Sequence, residues 1–157
     1  MLKPVFGKRF MEDSPIWVRV GDKVFDLRRW NWEGFRYDHA VAWFKAGFTD
    51  PREAAMWRRD WGVNEPEDAA IWRNAGWKSY ESKYWWHTGL DPKEAMKWKN
   101  AGFAPGIAVT WHNAGWKGDD APVARKFYWA RWEPDRALRW FKAGYRDPEK
   151  TGISIGR

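Results

Sequence analysis

Large apolar side chains return along this chain at a set distance from glycine. Trp43, Trp72, Trp85, Trp98, Trp111 and Trp140 each stand four positions before a glycine (Gly47, Gly76, Gly89, Gly102, Gly115 and Gly144). A second large apolar residue follows each glycine: Phe48, Trp77, Leu90, Phe103, Trp116 and Tyr145. Two further copies are imperfect. Trp57 reaches Gly62 with one extra residue, and Phe127 precedes Ala130-Arg131-Trp132, where Arg131 stands in the glycine position. The anchors at 43, 57, 72, 85, 98, 111, 127 and 140 are 13 to 16 residues apart, which is the signature of a tandem repeat.

Small residues complete the pattern. Alanine lies three positions before most anchors (Ala40, Ala54, Ala69, Ala95, Ala108, Ala124, Ala137) and three after many (Ala46, Ala75, Ala101, Ala114, Ala130, Ala143). Offsets of three share a helix face, so each helix presents small–large–small and lets a neighbouring backbone approach closely. Val41, Met96, Val109 and Leu138 lie nearly opposite the anchors, which predicts helices sandwiched between neighbours. Asp50-Pro51, Glu65-Pro66, Asp91-Pro92, Glu133-Pro134 and Asp147-Pro148 supply a capping acid followed by proline at the first helical position. Glu53, three residues after Asp50, adds the second half of a capping box. The glycines provide the left-handed residue that ends a helix, and the apolar residue after each fits the accompanying contact. Each copy therefore predicts a helix of about 10 residues, about 15 Å long. Such a helix is marginal alone and depends on packing, to which each buried anchor contributes about 2–3 kcal/mol. The fold expected is mainly α: an array of about eight short helices, α-solenoid-like or a compact helical repeat.

Outside the repeats the period changes. Ile16–Val20 and Lys23–Leu27 flank Gly21-Asp22, a two-residue hairpin signal, with Arg28–Trp32 leading out of it. The expected organisation is an N-terminal arm and β-hairpin cap over 1–35, tandem repeats over 36–148 and a tail over 149–157. The copy at Ser79–Trp86 departs most, lacking proline and alanine, with Ser79 and Ser82 as substitute caps. The connection from Lys117 to Pro122 is the longest turn.

Composition narrows the function classes. In 157 residues, 44% are hydrophobic and 19% aromatic, which excludes wholesale disorder. Without cysteine there is no disulfide, thiolate metal site or thiol nucleophile. Residues 1–10 lack the apolar run of a signal peptide, and no window has the length of a membrane span. A soluble cytoplasmic protein is expected, or one of the host cytoplasm or virion if phage-encoded, with no membrane partner. The net charge of +7 invites a polyanion, but the charge is diffuse.

Catalytic chemistry finds no constellation. His39, His87 and His112 fall at three different offsets, and neither a metal-ligand spacing nor a nucleophile elbow nor a phosphate-binding glycine loop occurs. No catalytic, cofactor or metal residue is assigned, and a non-enzyme is expected. The two positions after each anchor are more suggestive: Phe44-Lys45, Arg58-Arg59, Arg73-Asn74, Trp86-His87, Lys99-Asn100, His112-Asn113, Tyr128-Trp129 and Phe141-Lys142. None is acidic. Stacked, they form a stripe able to follow a phosphate backbone and stack bases, while cations in a last helical turn also answer the helix dipole. Lys45, Arg58, Arg59, Arg73, Asn74, Trp86, His87, Lys99, Asn100, His112, Asn113, Trp129, Phe141 and Lys142 are the candidate contact residues of this stripe, and Phe141-Lys142 is the pair most available for function. Sixteen Trp exceed what eight anchors need. Trp77 and Trp116 are expected as cap contacts, whereas Trp30 and Trp32 beside Arg28 and Arg29 form the better contact patch, since Trp with Arg is enriched at protein–protein hot spots.

The phrase Asp-Pro-x-Glu-Ala-x-x-Trp-x-x-x-Gly resembles short Trp-rich tandem helical repeats in uncharacterised proteins of actinobacteria and their phages. The resemblance covers residues 37–148 and implies repeat architecture without an activity. The leading expectation is a non-enzymatic module that binds a protein. The alternatives are nucleic-acid binding through the stripe and a structural part of a larger assembly such as a phage virion.

Overall fold

The computed structural model describes residues 14–153. The expected N-terminal arm before residue 14 and the last four residues of the expected tail lie outside the described residues. The chain divides into two compact units, Met1–Tyr80 and Glu81–Arg157, a division that falls inside the expected repeat region.

The fold is mainly α with a small antiparallel hairpin. Strand β1 (Trp17–Val20) pairs with β2 (Lys23–Asp26) in the register Trp17 to Asp26 and Val20 to Lys23. Gly21 turns at φ 64°. Nine α-helices follow among the described residues. The first unit holds α1 (Leu27–Trp32), α2 (Tyr37–Lys45), α3 (Pro51–Trp61) and α4 (Pro66–Asn74). Helix α5 (Ser79–Trp86) spans the division. The second unit holds α6 (Pro92–Asn100), α7 (Pro105–Asn113), α8 (Ala121–Trp129) and α9 (Pro134–Lys142). Short 3-10 turns occur at Gly118–Asp120 and Pro148–Thr151.

Helix starts depend on the length of the capping side chain. Asp50 and Asp91 each accept the backbone N–H two residues on, at 2.9 Å. Glu65 and Glu133 occupy the same position before proline but make no side-chain cap bond, because the extra methylene carries the carboxylate past the orphan donors. Glu53 faces Arg73 at 3.4 Å. Ser79 is the first residue of α5, is buried, and its hydroxyl donates to Asp60 at 2.6 Å.

Helix stops are nearly identical from copy to copy. The anchor carbonyl accepts the N–H of the apolar residue five positions later, at 2.9 to 3.2 Å, for Trp43/Phe48, Trp72/Trp77, Trp98/Phe103, Trp111/Trp116, Phe127/Trp132 and Trp140/Tyr145. The glycine N–H closes on the carbonyl just after the anchor. These two bonds define a Schellman stop, and the ring pair closes over it. In all six, the ring centroids lie 4.9 to 5.5 Å apart. Arg131 takes the glycine position at φ 65° and is the one non-glycine residue of positive φ among those described. Two copies differ. Gly62 N–H bonds Arg58 in the copy with the extra residue, and Leu90 N–H goes to the Thr88 hydroxyl.

A ninth copy precedes the eight. Trp30, 13 residues before Trp43, bonds Phe35 N–H at 3.0 Å through a turn at Gly34 (φ 86°), and the two rings meet at 4.9 Å. Trp30 is only 1% exposed, so it is an anchor and not part of a surface patch. Arg28–Trp32, read from sequence as a lead-out, and Leu27, read as the end of the second strand, form a helix, with the Asp26 side chain capping Arg28 N–H at 3.0 Å.

The core follows from these stops. Five anchors meet the stop ring of the preceding copy at 6.0 to 6.2 Å: Phe35–Trp43, Phe48–Trp57, Phe103–Trp111, Trp116–Phe127 and Trp132–Trp140. Ala40, Ala54, Ala69, Ala95, Ala108, Ala124 and Ala137 are all 0% exposed. Ser82, three residues before Trp85, fills the same position in α5 and is also 0% exposed. Val41, Met96, Val109 and Leu138 are half-buried. In the long turn, Gly118 N–H donates to Glu94 and Lys97 pairs with Asp119 at 2.7 Å. The expected tail begins as a further Asp-Pro opening: Asp147 accepts Glu149 N–H at 3.0 Å, Pro148 is buried, and a 3-10 turn replaces a full helix.

The left-handed stops give a direct stability test. A Cβ at Gly76 meets nothing within 4 Å at φ 94°, so Gly76→Ala is expected to cost about 1–2 kcal/mol through backbone strain alone. Arg131→Gly is expected to stabilise by up to about 1 kcal/mol. Urea midpoints of the two variants check both signs.

Candidate binding surfaces

The two positions after each anchor separate by direction. The first turns inward. Arg58 donates to the Glu33 carbonyl at 2.8 Å and lays its guanidinium over Phe35 at 4.1 Å. Arg73 donates to the Gly47 carbonyl at 3.2 Å and lies over Phe48 at 4.5 Å. Tyr128 stacks on Phe103 at 5.4 Å, and Phe141 on Trp116 at 4.8 Å. In each case the side chain covers the stop of the helix two copies earlier, satisfying a terminal carbonyl or its ring. Phe44, buried, packs on Phe25 of the hairpin at 4.8 Å. Phe141 is thus engaged in packing.

This inward position also reads the preceding helix. Arg73 meets Glu53 at 3.4 Å, Lys99 meets Glu81 at 3.2 Å, and His112 stands 3.8 Å from Glu94. Each acid sits four residues before its own anchor. Where that place is apolar, at Ile107 and Val123, the next inward residue is Tyr128 or Phe141. Asp68 before Trp86 and His39 before Arg58 do not follow this matching. Trp86 is half-buried, with its ring 4.9 Å from His87.

The second position turns outward without exception. Lys45, Arg59 and Asn74 in the first unit are exposed, as are His87, Asn100, Asn113, Trp129 and Lys142 in the second. Trp32 holds the equivalent place after Trp30 and is 74% exposed; Trp129 is 66% exposed. Arg125 lies over the Trp129 ring at 4.5 Å. The Arg59 guanidinium hydrogen-bonds Asp60 at 3.1 Å, and that bond raises its pKa above the ordinary value. The hydrogen bond to Asp119 likewise raises the Lys97 pKa, against a smaller opposing effect of burial. Both stay cationic through neutral pH.

A second surface surrounds the hairpin. Its inner face carries Phe25, which meets Trp30 at 5.6 Å. On the other face Trp17 is 65% and Val24 50% exposed. A groove of 600 Å³ runs beside them, lined by Trp17, Lys23, Asp26, Arg29, Phe44 and Thr49 among others. Arg29 is exposed and Arg28 half-buried, so of the expected patch Arg29 and Trp32 remain fully at the surface. Trp17 and Val24 were not singled out from sequence. The available signal was strand alternation, which places Trp17 and Arg19 opposite the core-facing Val18. Of the eleven large apolar side chains exposed among the described residues, eight belong to the first unit: Ile16, Trp17, Val24, Trp32, Tyr37, Met56, Ile71 and Tyr80.

Among the described residues, no group of three His, Cys, Asp or Glu side chains is placed to hold a metal ion. No helix among them is long and apolar enough to cross a membrane. The inward and outward positions predict different mutational costs. Arg73→Ala, losing two carbonyl bonds and a buried stack, is expected to destabilise by about 2 kcal/mol; Asn74→Ala is expected to stay within about 0.5 kcal/mol. Chemical denaturation of the pair checks the difference.

Comparison with protein-family models, with curated proteins and with solved structures finds no match to this chain.

Proposed function

We propose that the chain is a non-enzymatic helical-repeat module that binds another protein, with the hairpin end of the first unit as its principal contact surface. The observation that carries this reading is the concentration of exposed apolar side chains in the first unit. Eight of the eleven among the described residues lie there, and two of them, Trp17 and Val24, line a groove of 600 Å³ together with Arg29. Exposed apolar residues scattered singly are ordinary, whereas a cluster beside arginine marks an interaction site. Trp32 and Trp17 bring large rigid area, and Arg29 brings a planar donor set suited to carboxylates and carbonyls. The hairpin also leaves strand edges for main-chain pairing with an extended segment.

Nucleic-acid binding is the second reading. It is favoured by one observation: the outward position holds no acid in any copy and is exposed in every one. Three of the cations that would have served it are engaged in packing or pairing, Arg58 and Arg73 on earlier stops and Lys99 on Glu81. Arg59 pairs with Asp60. The protein-binding reading is therefore the stronger.

The doubly substituted Trp17→Ser, Trp32→Ser chain separates the two. Both side chains are more than 60% exposed, so the variant is expected to keep the parental circular dichroism. Partner recovery from nuclease-treated native lysate is expected to fall at least about ten-fold, as for loss of a hot spot. Undiminished recovery, or recovery abolished by the nuclease alone, overturns the reading.

A further inference from the structure

The last repeat ends in an uncovered version of a contact that five earlier repeats complete. Seven anchors of the tandem series, from Trp43 to Phe127, are 0 to 4% exposed. Trp140 is only half-buried, Ala143 is exposed, and its stop ring Tyr145 is 38% exposed. In earlier copies such a stop ring receives the anchor ring of the next helix at 6.0 to 6.2 Å, as Phe103 receives Trp111 and Trp116 receives Phe127. Among the described residues no helix follows α9 to do this for Tyr145. The opening is a cleft of 440 Å³ lined by Arg136, Arg139, Trp140, Ala143 and Tyr145.

The chemistry of the missing contact follows from the repeat itself. The residue four before an anchor faces the inward residue of the next helix, as Glu53 faces Arg73, Glu81 faces Lys99 and Glu94 faces His112. Two of these carboxylates meet the cations Arg73 and Lys99, and the third meets an imidazole nitrogen. In α9 that place is Arg136, and Arg139 lies one turn along on the same exposed side. The sign is reversed relative to the acids of α3, α5 and α6.

From this we infer that the C-terminal face of α9 docks an acidic amphipathic helix of another protein, which adds to the repeats as the next helix would. The docked helix carries a small residue, then an aromatic ring three positions later against Tyr145, then a carboxylate immediately after it against Arg136. The pairing is one of helix into groove with a charge-matched edge. A second copy of this chain is disfavoured as the occupant, because two molecules of net charge +7 repel. The site stands on residues separate from Trp17 and Trp32, so it and the hairpin surface can fail independently.

A stapled, fluorescein-labelled helix copying Asp91–Phe103 supplies the probe, since it contains Ala95, Trp98 and, in the inward position, Lys99. Fluorescence anisotropy with the full chain compares this peptide with its Lys99→Glu version. The Lys99→Glu peptide is expected to bind at least ten-fold tighter than its parent, following the cost of like charges in contact. The Arg136→Glu protein is expected to reverse that order, Arg136→Lys to retain it, and Trp17→Ser, Trp32→Ser to leave it unchanged. Circular dichroism confirms that the exposed substitutions leave the fold intact. Absence of binding by both peptides, equal affinities, or a preference that survives Arg136→Glu overturns the inference. So does a concentration-dependent dimer, or binding of a dT homopolymer, that Arg136→Glu abolishes.

Discussion

One hydrogen bond organises both units: at seven of the nine stops, the N–H of the ring residue after the stop returns to the carbonyl of the anchor five positions before. It ends the helix, and it also brings two large rings together within about 5 Å at the point where the chain reverses. A helix of nine residues gains little from its own backbone. Here its terminal carbonyls are satisfied locally and its largest side chain is fixed against a neighbour in the same step. The next anchor then packs on the ring that the stop has presented. Helix termination and core formation are one event, repeated.

That local character explains what could be read from the sequence. Starts at Asp-Pro, stops at glycine and the alanine three before each anchor all involve residues within about a turn or two of one another, and composition exposes them directly. Even Arg131 was legible as a glycine substitute, because its neighbours Phe127 and Trp132 hold the phrase in register. Trp30 was missed although Gly34 and Phe35 complete the same phrase at the same spacing. It lacks a preceding alanine and follows a strand, so its surroundings read as a way out of the hairpin. The direction of Arg58, Arg73 and Phe141 was not legible for a different reason. Their partners are stops two helices back, about 25 residues away in sequence, and cations or aromatics in a last helical turn look the same whether they point outward or back.

The inward position is also where the copies differ most. Anchors, alanines and stops vary little, because each meets the same backbone geometry. The inward residue is Arg73 beside Glu53, Lys99 beside Glu81 and His112 beside Glu94, and aromatic after Ile107 and Val123, and so the variation is matched between adjacent helices. This ties each helix to its particular neighbours. The repeats are alike in shape but not interchangeable in order, and a copy moved to another place would set unmatched side chains against each other. The exposed outward position carries no such constraint, which leaves its lysines, amides and tryptophans free to answer to partners.

The succession of rings has an optical consequence. From Phe25 through Trp30, Phe35, Trp43, Phe48, Trp57, Trp61 and Trp72 to Trp77, every consecutive centroid separation is 4.9 to 6.3 Å. A comparable run in the second unit goes from Trp98 to Tyr145. Indole transitions at such separations couple, so light absorbed at one ring migrates along the run before it is emitted. The near-ultraviolet spectrum of each unit is then a property of the whole ring succession. It reports the spacing of neighbouring helices, and it changes collectively when any single anchor is displaced.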